Sequence, residues 1–262
     1  MTTPDTSISS IASTARYEVI EKTGTRHIRW LDDDETFISS MSIDKPDALF
    51  AYHFPMIQPL VLIDAPRDVM LIGLGGGTQP KFIHRYLPQL RLLAVEIDPV
   101  MVELAHTQFG LPADDERLEV VIADGAVFMS DCVAQCDLIL SDAYGDNSQI
   151  VEALHTEAFY QACHRVLRTG GIMTVNILRP GPDWGIGYMN MLRRIFDTVY
   201  VTMIAADQCV LTLCKSPLGP DWTAIAERAQ AYDPSLGLDL PEFVKAFPRV
   251  DANPAPSSCT TP

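Results

Sequence analysis

The chain has 262 residues and a 47% hydrophobic composition, which suits one large domain, or one with a small appendage, that can bury a full core. A formal net charge of −15 argues against nucleic acid as a partner and is compatible with a cationic substrate through long-range attraction, solubility being the plainer reading. No apolar run is long enough to span a bilayer, and Met1–Ser10 carries neither positive charge nor a signal-peptide core. In chain order, residues 1–15 read as a disordered lead. Short strands follow at Tyr17–Ile20, His27–Trp30 and Thr36–Ile38, separated by Gly24 and the acidic turn Asp32–Glu35. Residues 47–61 read as a helix interrupted by Pro55.

From residue 69 the pattern alternates between strand and helix. Strands are expected at 69–74, 91–97, 118–123, 137–142, 171–178, 198–204 and 209–214, with helices at about 79–87, 99–108, 154–168 and 184–196. Such alternation builds a mostly parallel sheet with helices on both faces. The last two strands are joined only by Ala205-Ala-Asp-Gln208, too short for a crossover, so they form a hairpin and one of them runs antiparallel. The fold class is therefore α/β, a Rossmann-like sheet of the AdoMet-dependent methyltransferase type, preceded by a small β-rich region. The organisation is a lead over 1–15, strands plus helix over 16–60, a nucleoside-binding catalytic domain over 61–218, a helical extension over 219–251 and a disordered tail over 252–262.

Ligands on such sheets lie outside the carboxyl ends of the strands. The first strand, Val69–Ile72, empties into Gly73, Gly75, Gly76 and Gly77, where glycine lets the backbone approach a ligand closely. Thr78 is expected to cap the helix that follows, with Pro80 in its first turn. Nineteen residues after Gly77, Glu96 stands at the tip of the next strand, where a carboxylate can accept from both ribose hydroxyls. Asp98, ahead of Pro99, reads as a helix cap rather than a ligand. Asp124-Gly125 closes the third strand, and its carboxylate can accept from an adenine amino group. The fourth strand ends in Asp142, Tyr144 and Asp146, where the chemistry would sit. The six cysteines show no metal-ligand spacing and several lie in apolar runs, which points to a reduced, cytoplasmic protein without a metal.

Residues 52–176 resemble the spermidine synthase (polyamine aminopropyltransferase) family. The resemblance rests on Tyr52-His53, the glycine-rich loop, Val95-Glu-Ile-Asp-Pro99, Asp124-Gly125, the Asp137…Asp142 strand, Thr156-Glu-Ala-Phe-Tyr160 and Leu167-Arg-Thr-Gly-Gly-Ile172. It implies transfer of an aminopropyl group from decarboxylated S-adenosylmethionine to an amine such as putrescine, with an aspartate deprotonating the attacking nitrogen. By this resemblance Asp142 and Asp146 are the catalytic candidates. Gly73, Gly75, Gly76, Gly77, Glu96, Asp124 and Gly125 would bind the donor, and Tyr52, His53, Tyr144 and Asp207 the small cationic amine. The family commonly assembles as dimers or tetramers, so a homodimer is implied. Four departures fall on the machinery. The family's GGGDGG loop has Gly76 where the acid stands. The DSxDP strand end keeps Asp142 but has Gly145 at the second acid, with Asp146 one place later. The YPSG segment is replaced by Ala205–Gln208, and the glutamate that often follows Tyr-His is Phe54. An AdoMet-dependent methyltransferase on the same scaffold and a silent nucleoside-binding relative are therefore the alternatives.

Overall fold

The computed structural model describes residues 8–33, 36–145, 149–178, 185–217 and 221–247; Asp146 and the tail 252–262 lie outside them. Strands β1 (Ser9–Ser13), β2 (Tyr17–Lys22), β3 (Thr25–Trp30) and β4 (Phe37–Ser42) form an antiparallel sheet in that order. The first of these corrects the expected lead. Ser9–Ser13 joins the sheet through backbone pairing with Glu18–Glu21 while its side chains stay mostly exposed, so no hydrophobic alternation announces it.

The helix expected over 47–61 shrinks to α1 (His53–Ile57), followed by a 3₁₀ segment at Gln58–Leu62. A helix reaching further upstream would need an N–H that Pro55 lacks. Starting at His53 places Pro55 in the first turn, where no intrahelical partner is required.

The second sheet carries the alternating units. It comprises β5 (Asp68–Ile72), α2 (Thr78–Tyr86), β6 (Arg91–Glu96), α3 (Pro99–Phe109), β7 (Leu118–Ile122), α4 (Gly125–Asp131), β8 (Cys136–Ser141), α5 (Glu157–Val166), β9 (Leu167–Leu178), α6 (Ile186–Ile195), β10 (Thr198–Ala205) and β11 (Gln208–Cys214). Strand order is β10-β11-β9-β8-β5-β6-β7, with β11 antiparallel to both neighbours and β5 through β9 mutually parallel. This is the expected sheet closed by a hairpin. Helix α4 was not anticipated: Asp124-Gly125 carries a turn signal, but Asp124 caps a helix of seven residues.

Alternation along each strand divides the core between the two faces of this sheet. Val69 and Leu71 pack with α2, α7 (Trp222–Ala231) and α8 (Leu240–Ala246), whereas Met70 and Ile72 pack with α4, α5 and α6. The small sheet is held separately. Tyr17, Val19, Ile28 and Met41 bury themselves against Met101, Leu104 and Phe109 of α3. Tyr17 Oη donates to Asp98 Oδ2 at 2.6 Å, Arg16 bonds the same oxygen at 3.0 Å, and Val100 N donates to Asp98 Oδ1 at 2.9 Å. Asp98 is thus the α3 cap, as expected, and also the tie between the two sheets.

Candidate active site

Strand order reverses at β5, which has β6 on one side and β8 on the other. A cavity of about 530 Å³ opens at the carboxyl ends of these strands, and residues of the small sheet, among them Trp30, Phe37 and Ser39, cover it. The sequence-derived candidates Gly73, Gly75, Glu96, Asp124, Gly125, Tyr52, His53, Asp142 and Tyr144 all line it.

The floor is the glycine loop. Gly73 has φ +91°, and a Cβ there would stand 2.6 Å from the Asp142 carbonyl oxygen, so the β5 and β8 strand ends touch only because this residue is glycine. Gly76 and Gly77 lie behind the cavity wall. A Cβ at Gly76 would meet the Phe109 ring and Ser39 Oγ at 2.8 Å each, and Gly76 N donates to that same hydroxyl at 2.9 Å. Residue 76 therefore has no room for an acid. The cap of α2 is Gly77, in the left-handed conformation, and not Thr78 as expected; the Thr78 hydroxyl points instead toward Ser40 O, 3.4 Å away.

Two carboxylates define the half of the cavity expected to take the nucleoside. Glu96 accepts from Leu74 N through Oε2 at 2.9 Å and from Asp98 N through Oε1 at 3.0 Å. These two bonds fix the carboxylate plane, and each oxygen keeps a lone pair for a ribose hydroxyl. Asp124 accepts from Ala126 N and Val127 N, both through Oδ1, which leaves its second oxygen for a ligand. Next to this half, Tyr17 and Trp30 pack at a 42° tilt with ring centroids 4.8 Å apart, and the Arg16 guanidinium lies 5.2 Å from the Trp30 ring.

The other half centres on Asp142. Gln79 Nε2 donates to its Oδ2 at 2.8 Å, Asn176 Nδ2 donates to its Oδ1 at 2.8 Å, and the Tyr52 hydroxyl bonds to it as well. Burial pushes this carboxyl up to about 7, and the bonds from Asn176, Gln79 and Tyr52 pull the other way. Gln208 Nε2 supports Asn176 Oδ1 at 3.0 Å, and Tyr144 Oη donates to Asn176 O at 2.8 Å. Burial lowers His53 to about 3, and its Nδ1 accepts from Phe50 N at 3.0 Å, so a neutral imidazole shapes the wall beside Tyr52.

Asp207 is exposed in the β10–β11 turn and does not line the cavity; its neighbour Gln208 does. Gln79, Asn176 and Gln208 were not anticipated. The available signal was a polar side chain inside an apolar segment, Asn176 within Met173–Leu178 above all, since a buried amide requires partners. Among the described residues no group of three or more His, Cys, Asp or Glu could hold a metal ion, and no helix is long and apolar enough to cross a membrane. The arrangement offers free carboxylate lone pairs to hydroxyl and amino donors of a ligand, and beside them a carboxylate whose proton affinity lies near neutrality.

Residues 49–177 match the family model described as the spermine/spermidine synthase domain. Over 231 residues the chain is 32% identical to a polyamine aminopropyltransferase of Chromobacterium violaceum, a span covering 84% of this chain and 85% of that protein. It is 29% identical over 189 residues to the eEF1A lysine and N-terminal methyltransferase of Xenopus laevis, covering 66% of this chain and 27% of that protein. Among solved structures, a spermidine synthase in complex with the transition state analogue AdoDATO aligns with a TM-score of 0.63 at 20% identity, covering 86% of this chain and 77% of that one.

Proposed function

The chain belongs to the spermine/spermidine synthase family, and on that premise we propose that it transfers an aminopropyl group from decarboxylated AdoMet to a small amine of the polyamine class, putrescine being the first to try. The observation that carries this reading is Asp142, a carboxylate held by Gln79, Asn176 and Tyr52 at the edge of the nucleoside half. The amine must lose a proton to become a nucleophile, and Asp142 takes it. The nitrogen then attacks the methylene carbon bonded to the sulfonium. A C–N bond forms, the C–S bond breaks, and its electron pair returns to sulfur as neutral methylthioadenosine leaves. The sulfonium is already an activated leaving group, so the protein's tasks are alignment and removal of one proton. The unpaired thiols among the described residues, four of five buried, support a reducing, cytoplasmic setting.

A second reading, methyl transfer from intact AdoMet, is favoured by Gly76. Phe109 and Ser39 fill the place of a side chain there, so that position offers no acid to repel a donor carboxylate. One experiment separates the two: the protein is incubated with putrescine and either donor, and the nucleoside product is identified by mass spectrometry. Methylthioadenosine with spermidine, formed only from the decarboxylated donor, is the expected result. S-adenosylhomocysteine would move the protein to the methyltransferases, and neither product across a panel of amines would favour a silent relative.

The proton affinity of Asp142 also sets a pH dependence. The base works only as carboxylate, and its midpoint is about 7. The rate kcat/KM is expected to rise with pH, bend near 7, and fall about tenfold per unit on the acid side. A limb near 4, the ordinary carboxylate range, would contradict the burial of this group.

A further inference from the structure

Gln79 lies in the first turn of α2, two residues beyond the glycine loop, and is 3% exposed. Its Nε2 donates to Asp142 Oδ2 at 2.8 Å and lies 3.8 Å from Met56 Sδ. Its Oε1 is buried and has no hydrogen-bond partner among the described residues. A buried amide carbonyl without a donor is unfavourable, and such exceptions call for an explanation. Turning the amide over would not help while Asp142 is ionised, because Oε1 would then face a carboxylate oxygen, acceptor against acceptor. The ionised form of Asp142 therefore dictates the orientation, and the fold tolerates an orphan acceptor in order to present it with a donor. Asn176 differs, since its own carbonyl is satisfied by Gln208.

We propose that Gln79 is a positioning residue: its amide N–H holds Asp142 in the carboxylate form and fixes which lone pairs face the incoming amine. The inference rests on the reading of Asp142 as the base. It adds a link between the two halves of the site, since the backbone that forms the donor floor also carries the clamp on the base. The other titratable groups facing Asp142 among the described residues are Tyr52, the N-cap residue of α1, and Tyr144 after β8. Burial raises both phenols above their ordinary range, and His53, beside Tyr52, is neutral; none of them titrates near 7.

The test is Gln79→Met, which keeps length and removes the donor, beside Gln79→Glu, which keeps shape and places a second carboxyl against Asp142. Asp142 is titrated by carboxyl ¹³C NMR in the full chain without substrate, its resonance assigned by Asp142→Asn, and kcat/KM is followed across pH. In Q79M the midpoint is expected to rise by about one unit, with kcat lowered roughly tenfold at pH 6 and the KM for amine little changed. In Q79E the pair is expected to titrate in two separated steps. A midpoint at the wild-type value in whichever variants fold overturns the proposal, whatever reaction the protein performs. A shifted midpoint with full activity in D142N would leave the clamp standing and remove the base role.

Discussion

Replacing Asp142 by asparagine is expected to lower kcat by roughly 10²–10⁴-fold, the usual worth of a positioned general base, with nucleoside binding retained. The substitution preserves shape and removes the capacity to take a proton, and its amide N–H₂ is met by Gln79 turning over to present Oε1. Glu96 and Asp124, on β6 and at the start of α4, make their contacts without Asp142, so the affinity for methylthioadenosine measured by calorimetry should change little. The deficit should also narrow as pH rises toward about 10, where an alkylamine in solution begins to lose its own proton. Turnover within about tenfold of wild type at pH 7 would show that the amine is deprotonated elsewhere, and Asp142 would then serve only to bind it.

The second large effect is expected at Gly73. An alanine there would place its Cβ 2.6 Å from Asp142 O and 2.7 and 2.8 Å from Ala143 Cα and N, in a backbone conformation of φ +91°. Strain at positive φ costs about 1–2 kcal/mol and overpacking about 1–3 kcal/mol, so G73A should lose roughly 2–5 kcal/mol of stability. In a domain of this size that lowers the thermal midpoint by about 5–15 °C. Gly110 supplies the internal control: its φ is +69°, but a Cβ there meets nothing within 4 Å, so G110A carries the conformational cost alone. Calorimetric melts should place G73A clearly below G110A. Activity should fall in G73A as well, because the displaced atoms belong to the peptide that carries the Asp142 carboxylate. Equal melts for the two variants would mean that the close approach of β5 and β8 is not what requires glycine.

The parts of the site that could be read from the chain are those written locally. A buried parallel strand ending in glycines, or an apolar run ending in one acid, carries its position in its own periodicity, and so Gly73, Glu96, Asp124 and Asp142 converge as expected. The antiparallel hairpin at the end of the sheet was equally local, fixed by a four-residue link. Gln79, Asn176 and Gln208 come from one helix and two strands, and their relation to Asp142 exists only once β8, β9 and β11 are side by side. Ser39 was hidden for the same reason, since its partner Gly76 lies across a contact between two sheets. Other misses reflect residue types with two uses. Asp124 is a strand-tip acid and a helix cap at once, which concealed α4, and Gly77 supplied by conformation the cap sought in the hydroxyl of Thr78. Strand β1 escaped because backbone pairing, with little side-chain burial, holds it in place.

The small sheet that covers the cavity leaves the ribosome before the parallel sheet beneath it, yet it cannot complete its own interior. Tyr17, Val19, Ile28 and Met41 find their burial against Met101, Leu104 and Phe109. A sheet of so few residues, with one apolar face left in water, has little stability of its own. During synthesis the roof must therefore wait until α3 has emerged, and the Tyr17–Asp98 hydrogen bond can close only then. The cavity is consequently assembled late and as a unit, from a cover made early and the helix that seats it, made some sixty residues afterwards.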